Sequence, residues 1–170
     1  MDPIKEQFER ANGDAFIDWL NAKLGTKYSF SYRPDQAPDL AYSYAGDELL
    51  VEVTAAYYDD SPHAEFLWRG ACNSSDAPDG WTGVNPDKSL SQKVVERIEE
   101  KSQKSYGSRC ILLVVVPPGV TSVETLAELL TQQTIPDDMP FVGVYVAGRF
   151  PITDSSAGGY RVIPIKELAS

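Results

Sequence analysis

The chain has 170 residues, of which 42% are hydrophobic and 11% aromatic, so it can bury one core and is not expected to be disordered. Its net charge of −10 argues against tight nucleic-acid binding, because a protein that holds phosphate backbones normally presents a cationic face. The longest apolar run, Ile111 to Val116, is too short to cross a bilayer, and no secretory pattern opens the chain. We therefore expect one soluble, cytoplasmic domain covering residues 1–170.

The first part of the chain predicts one helix followed by three strands. Apolar residues recur at helical spacing from Pro3 to Leu24, and Gly25 follows where a C-cap glycine belongs. Tyr28–Tyr32 alternates as a half-buried strand does. Asp39–Tyr44 and Glu48–Thr54 are joined by a tight connection, so these two segments predict an antiparallel hairpin.

The segment 57–87 is rich in Asp, Ser, Pro and Gly and predicts an irregular insertion. Four aromatic residues there could stack on unpaired bases or pack as a small apolar cluster under the loop. The sequence leaves both interpretations open for these residues: Tyr57, Tyr58, Trp68 and Trp81.

The rest of the chain predicts alternating helices and strands. Lys88–Tyr106 is predicted as a helix with Tyr106 on its apolar face, and Arg109–Val116 as a strand covered on both faces. A helix over Thr121–Gln132 and strands over Phe141–Ala147 and Tyr160–Ile165 follow. The order predicts an α/β fold with a mixed central sheet flanked by helices.

Two carboxylates mark the candidate site. Asp39 begins one hairpin strand and Glu52 ends the next, so the hairpin can bring both to the same end of the sheet. Two carboxylates and a backbone carbonyl, such as that of Val53, suit Mg²⁺ or Mn²⁺, which could activate water against a phosphodiester. The alternative is that Asp39 follows a proline turn and Glu52 lies on a solvated face. Glu52 interrupts the apolar run Leu49–Val53, which costs desolvation energy and favours a functional role.

The segment APDLAYSYAGDELLVEVT resembles the PD-(D/E)xK superfamily of restriction-endonuclease-like nucleases at Asp39 and Glu52. The resemblance covers roughly Pro3 to Val116. It implies a single-domain restriction-endonuclease-like αβββαβ core, extended here by one helix and two strands at the C-terminus. It also implies metal-dependent hydrolysis of DNA or RNA with Mg²⁺ or Mn²⁺.

The same resemblance implies a glutamate on the first helix that completes the metal site. Glu9 falls inside the apolar sector of that helix, beside Phe16 and Leu20, and is the candidate. The alternative is a boundary residue paired with a basic neighbour.

Thr54 departs from the family pattern, because it stands in place of the lysine that offsets transition-state charge. The family is known to move this lysine onto the second helix, where Lys101 flanks the apolar face and Lys93 points away from it. Lys101 is therefore the candidate, with Lys88 as a second choice. The alternative is that Lys101 is an ordinary surface lysine and that catalysis has been lost.

Three functional hypotheses follow. The first is a PD-(D/E)xK nuclease in which Glu9, Asp39, Glu52 and Lys101 act on DNA or RNA. The second is a catalytically inactive protein of the same fold that acts as a binding or regulatory module. The third is an acidic module that binds a basic protein partner. None of the three involves a membrane.

Overall fold

The computed structural model describes residues 3–56, 86–106, 109–116, 122–149 and 160–169. The predicted insertion and its aromatic residues therefore lie almost entirely outside the described residues. Its last two residues, Pro86 and Asp87, instead begin a helix. Proline suits that position, because the first turn of a helix leaves its N–H groups unpaired.

Three helices and six strands follow one another in the predicted order within the described part of the chain. They are α1 Pro3–Leu24, β1 Ser29–Tyr32, β2 Leu40–Tyr44, β3 Asp47–Ala55, α2 Pro86–Ser102, β4 Cys110–Val115, α3 Val123–Thr131, β5 Gly143–Arg149 and β6 Tyr160–Lys166. The predicted α/β class is confirmed. No described helix is long and apolar enough to span a membrane.

The six strands form one mixed sheet in which the spatial order equals the chain order. β1, β2 and β3 are antiparallel neighbours, so the predicted hairpin is confirmed. β4 and β5 then run parallel to β3, and β6 returns antiparallel to β5. The parallel strands lie in the middle of the sheet, where both faces are covered.

The core lies on both faces of this sheet. On one face α1 packs against alternate strand residues such as Val51, Leu113 and Tyr145. On the other face α2 and α3 pack against the intervening residues, including Leu112 and Val144. Every residue of β4 is buried, which confirms the prediction of a strand covered on both faces.

Two helix ends show how the sequence terminates helices. Gly25 adopts a left-handed conformation with φ of 70°, and its N–H bonds to the carbonyl of Asn21, as predicted for a C-cap glycine. The predicted end of α2 is wrong, because the helix stops at Ser102. Hydrogen bonds from the N–H groups of Gln103 and Lys104 to carbonyls three residues earlier close its last turn, and the chain then returns Tyr106 to the core.

Candidate active site

The β2–β3 hairpin places Asp39 beside Glu52. Leu40 pairs with Val51 in the hairpin, so the same register brings Asp39, one residue earlier, opposite Glu52. Cross-strand neighbours of this kind lie on the same face of a sheet. Oδ2 of Asp39 accepts a hydrogen bond of 2.8 Å from the N–H of Val53. This bond fixes the Asp39 carboxylate against β3.

The second helix supplies a cation to Glu52. Lys101 lies in the last turn of α2, and its Nζ donates a hydrogen bond of 2.8 Å to Oε2 of Glu52. The Glu52 side chain is only 5% exposed and that of Lys101 is 21% exposed. Glu52 therefore does not lie on a solvated face, and Lys101 is not an ordinary surface lysine.

Burial governs the electrostatics of the two carboxylates. Burial raises the pKa of Asp39, the Val53 hydrogen bond lowers it, and the nearby charge of Glu9 raises it again. Burial also raises the pKa of Glu52, as does the charge of Asp39, while the Lys101 hydrogen bond and charge lower it. Asp39 thus raises the pKa of Glu52, whereas a hydrogen bond with Glu52 lowers that of Asp39. Buried carboxylates that interact in this way are typical of a site that binds a cation or moves a proton.

One oxygen of this pair has no partner among the described residues. Oε1 of Glu52 is buried and accepts no hydrogen bond there. An unpaired buried carboxylate oxygen is costly, and a hard divalent cation would satisfy it. Asp39 and Glu52 thus fit the carboxylate part of a Mg²⁺ or Mn²⁺ site. No cluster of three or more His, Cys, Asp or Glu residues suited to a metal occurs in the described ranges.

Glu9 lies at the edge of this site, bound to an arginine. Its side chain is 3% exposed, and Oε1 accepts a hydrogen bond of 2.8 Å from Nη1 of Arg33. Lys5, one turn earlier in α1, lies 4.0 Å from Oε2. The prediction that Glu9 faces the apolar side of α1 is confirmed, and so is its pairing with a basic residue. Its charge reaches Asp39, whose pKa it helps to raise.

The other candidate lysines lie differently. Lys88 is exposed in the first turn of α2, 13 residues before Lys101, so roughly 20 Å of helix axis separates the two. It cannot replace Lys101 at Glu52. Lys93 is mostly buried, with Nζ 2.7 Å from Glu96, although helical periodicity placed it away from the apolar face. Thr54 lies in β3 beside Val114 of β4, and carries no charge.

Two further residues near Glu52 were missed in the sequence. Tyr106 follows α2 and Cys110 opens β4, and both are buried. Burial raises the pKa of Cys110 to about 12, and the charge of Glu52 adds to this. Burial also raises the pKa of Tyr106, again with a contribution from Glu52. No local motif marks either residue, because their proximity depends on how α2 ends and where β4 begins.

No protein-family model matches the chain. No curated protein matches it either. Its structure is similar to that of Pyrococcus furiosus SfsA in complex with Ca²⁺, at 14% identity and a TM-score of 0.32. The match covers 94% of this chain and 64% of the SfsA chain, so this chain spans less than two thirds of that protein. Similarity at this level assigns neither a family nor a function.

Proposed function

We propose that the chain is a metal-dependent nuclease of the PD-(D/E)xK type in which Lys101 replaces the motif lysine. The hydrogen bond between Lys101 and Glu52 carries this proposal, because it brings an ammonium group to the carboxylate pair from a different element. Asp39, Glu52 and Lys101 then provide the two acids and the cation that the family's chemistry uses. The absence of a lysine at Thr54 therefore does not argue against this proposal.

Asp39 and Glu52, with the backbone carbonyl of Val53, are the groups that would hold Mg²⁺ or Mn²⁺. A divalent ion bound there would lower the pKa of water and neutralise charge on a phosphodiester. The buried Oε1 of Glu52 supports this assignment, since no hydrogen bond of standard geometry reaches it from the described residues and it has lone pairs free for a cation. Glu9 would contribute through its charge on Asp39, because Arg33 already occupies its Oε1.

Lys101 has the geometry to orient an attacking water. Its ammonium carries three donors, and one of them is bonded to Oε2 of Glu52. The other donors can bind a water or a phosphate oxygen beside Glu52, where low exposure strengthens their effect. The hydrogen bond to Glu52 fixes the direction in which this flexible side chain points.

A second candidate function is a binding module that does not cut. The net charge of −10 favours it, because nucleic-acid affinity comes largely from cationic contacts with phosphates. A basic protein surface would be the matching partner in that case. This candidate requires no chemistry from Asp39 or Glu52.

A cleavage assay tests the proposal. Wild type, Glu52→Gln and Lys101→Met would be incubated with single- and double-stranded DNA and RNA in Mg²⁺ or Mn²⁺. Glu48→Gln is the matched control, because Glu48 lies on the same strand but is exposed. We expect cleavage by wild type and Glu48→Gln, and a loss of at least about 100-fold in the other two variants.

The contrary outcomes are distinct. Equal cleavage by wild type and Glu52→Gln would point to a contaminating nuclease and overturn the proposal. Absence of cleavage by all four folded proteins on every substrate would favour the binding module.

A further inference from the structure

Tyr106 is a buried phenol with a fixed ring. It is 5% exposed, and its ring centroid lies 5.5 Å from that of Phe141, at the end of the loop before β5. The apolar core on the α2 side of the sheet holds this ring. The position of its hydroxyl is therefore set by packing, not by solvent.

The Tyr106 hydroxyl and Oε1 of Glu52 are both buried, and neither has a hydrogen-bond partner of standard geometry within the described residues. One is a donor and the other is an acceptor. They lie on the same side of the sheet, because Tyr106 belongs to the core cluster that contains Leu112, the residue paired with Glu52 between β3 and β4. Lys101, five residues before Tyr106, is itself bonded to Glu52, so the chain after α2 starts beside this carboxylate. A phenol is protonated at neutral pH and can act as the donor.

We propose that Tyr106 is a positioning residue whose hydroxyl donates a hydrogen bond to Oε1 of Glu52, directly or through one water. Lys101 holds Oε2, so the carboxylate is fixed at both oxygens. A carboxylate oxygen has two lone pairs, so a cation can still bind Oε1. Partners of this kind orient metal ligands and raise metal affinity. This consequence for metal binding rests on the proposed nuclease function, whereas the hydrogen bond itself does not.

A double-mutant cycle tests the hydrogen bond without metal. Tyr106→Phe removes only the hydroxyl, and urea unfolding of wild type, Tyr106→Phe, Glu52→Ala and the double variant gives the coupling. We expect Tyr106→Phe to lower the urea midpoint by about 1 M in the wild type. In the Glu52→Ala background we expect Tyr106→Phe to lower the urea midpoint by less than about 0.3 M, since the acceptor is gone.

Tyr160→Phe is the matched control. The Tyr160 hydroxyl is also buried without a partner among the described residues, and burial and Arg149, not Glu52, govern its pKa. Its effect should be the same in both backgrounds. If Glu52→Ala does not fold, Glu52→Gln repeats the cycle, and there the effect of Tyr106→Phe should fall to about half. Equal effects of Tyr106→Phe in both backgrounds would overturn the proposal.

The affinity for Mn²⁺, measured by calorimetry, separates this inference from the nuclease proposal. We expect Tyr106→Phe to raise the Mn²⁺ dissociation constant at least about tenfold and Tyr160→Phe to leave it within about twofold. Coupling without any Mn²⁺ binding by the wild type would support Tyr106 as the donor to Glu52 and count against the nuclease. Mn²⁺-dependent cleavage without coupling would support the nuclease and overturn the role of Tyr106.

Discussion

Nζ of Lys101 donates a 2.8 Å hydrogen bond to Oε2 of Glu52, although 49 positions separate the two residues in the chain. Glu52 lies inside the sheet and Lys101 reaches it from the last turn of α2, so the ion pair ties the helix to β3. Little water screens the Glu52 carboxylate, so loss of this ion pair should lower the free energy of unfolding more than loss of a surface ion pair would.

Lys101→Met should lower the free energy of unfolding by about 1–3 kcal/mol at pH 7. Lys101 lowers the pKa of Glu52, so its removal raises that pKa further. A raised carboxyl pKa gives stability that is present at low pH and lost as pH rises, so the deficit of the variant should shrink below pH 7. Urea unfolding at several pH values measures this. The exposed Lys104→Met is the control, expected within about 0.5 kcal/mol, and a deficit that does not vary with pH would contradict the prediction.

Asp39→Asn should keep the fold, because the amide oxygen can still accept the Val53 N–H. Burial and Glu9 hold the pKa of Asp39 above its usual value, so the ionised carboxylate costs stability at neutral pH. The variant should therefore gain stability relative to the wild type as pH rises from 4 to 7. It should also lose at least about 100-fold in metal-dependent cleavage. A stability difference that is the same at both pH values would contradict the raised pKa.

Arg33→Gln should destabilise the protein by roughly 2–4 kcal/mol, because it removes the closer of the two cations beside buried Glu9 and leaves only the exposed Lys5, at 4.0 Å. Thermal or urea unfolding measures the loss. Lys23→Gln breaks the exposed pair with Glu167 and serves as the control, with an expected loss of no more than about 1 kcal/mol. Adding Glu9→Gln to Arg33→Gln should restore part of the stability. Absence of that recovery would mean that the buried charge is not the cause.

Gly13→Ala should destabilise the protein by about 1–3 kcal/mol, although alanine normally favours a helix. A Cβ at Gly13 would lie 2.6 Å from the Tyr42 hydroxyl and closer still to Leu40. The close contact of α1 with β2 fixes Leu40, the residue that follows Asp39, so cleavage should fall as well. Unfolding and cleavage measured on the same preparation test both effects. A stabilised variant would show that α1 can move away from β2 at little cost.

Some of the site could be read from the sequence. Glu52 within an apolar strand and Asp39 after a proline turn predicted two carboxylates at one end of a hairpin, because strand pairing follows from the turn between them. Helical periodicity placed Glu9 and Lys101 at or beside apolar faces. Those faces pack on the sheet, so Lys101 bonds to the buried Glu52, and the charge of the buried Glu9 acts on Asp39.

Other features depended on long-range packing. Arg33 is hydrogen-bonded to Glu9, 24 positions away in the chain, and nothing in the sequence of either segment predicts this contact. The end of α2 was predicted at Tyr106 from hydrophobic spacing, but the chain turns after Ser102 and carries Tyr106 beside Phe141. Spacing alone cannot distinguish a helical face from a buried loop residue that packs against the same core.

The sequence by itself determined the elements and their class, because hydrophobic periodicity, turn residues and the helix-ending Gly25 act over a few neighbouring positions. It also located Asp39 and Glu52, which share one hairpin. Only the tertiary structure decided that Lys101 is bonded to Glu52 and that Tyr106 packs on the same side of the sheet. Lys101 lies on α2 and Tyr106 in the loop that follows it, and burial of a shared apolar core provides the free energy that holds both in place.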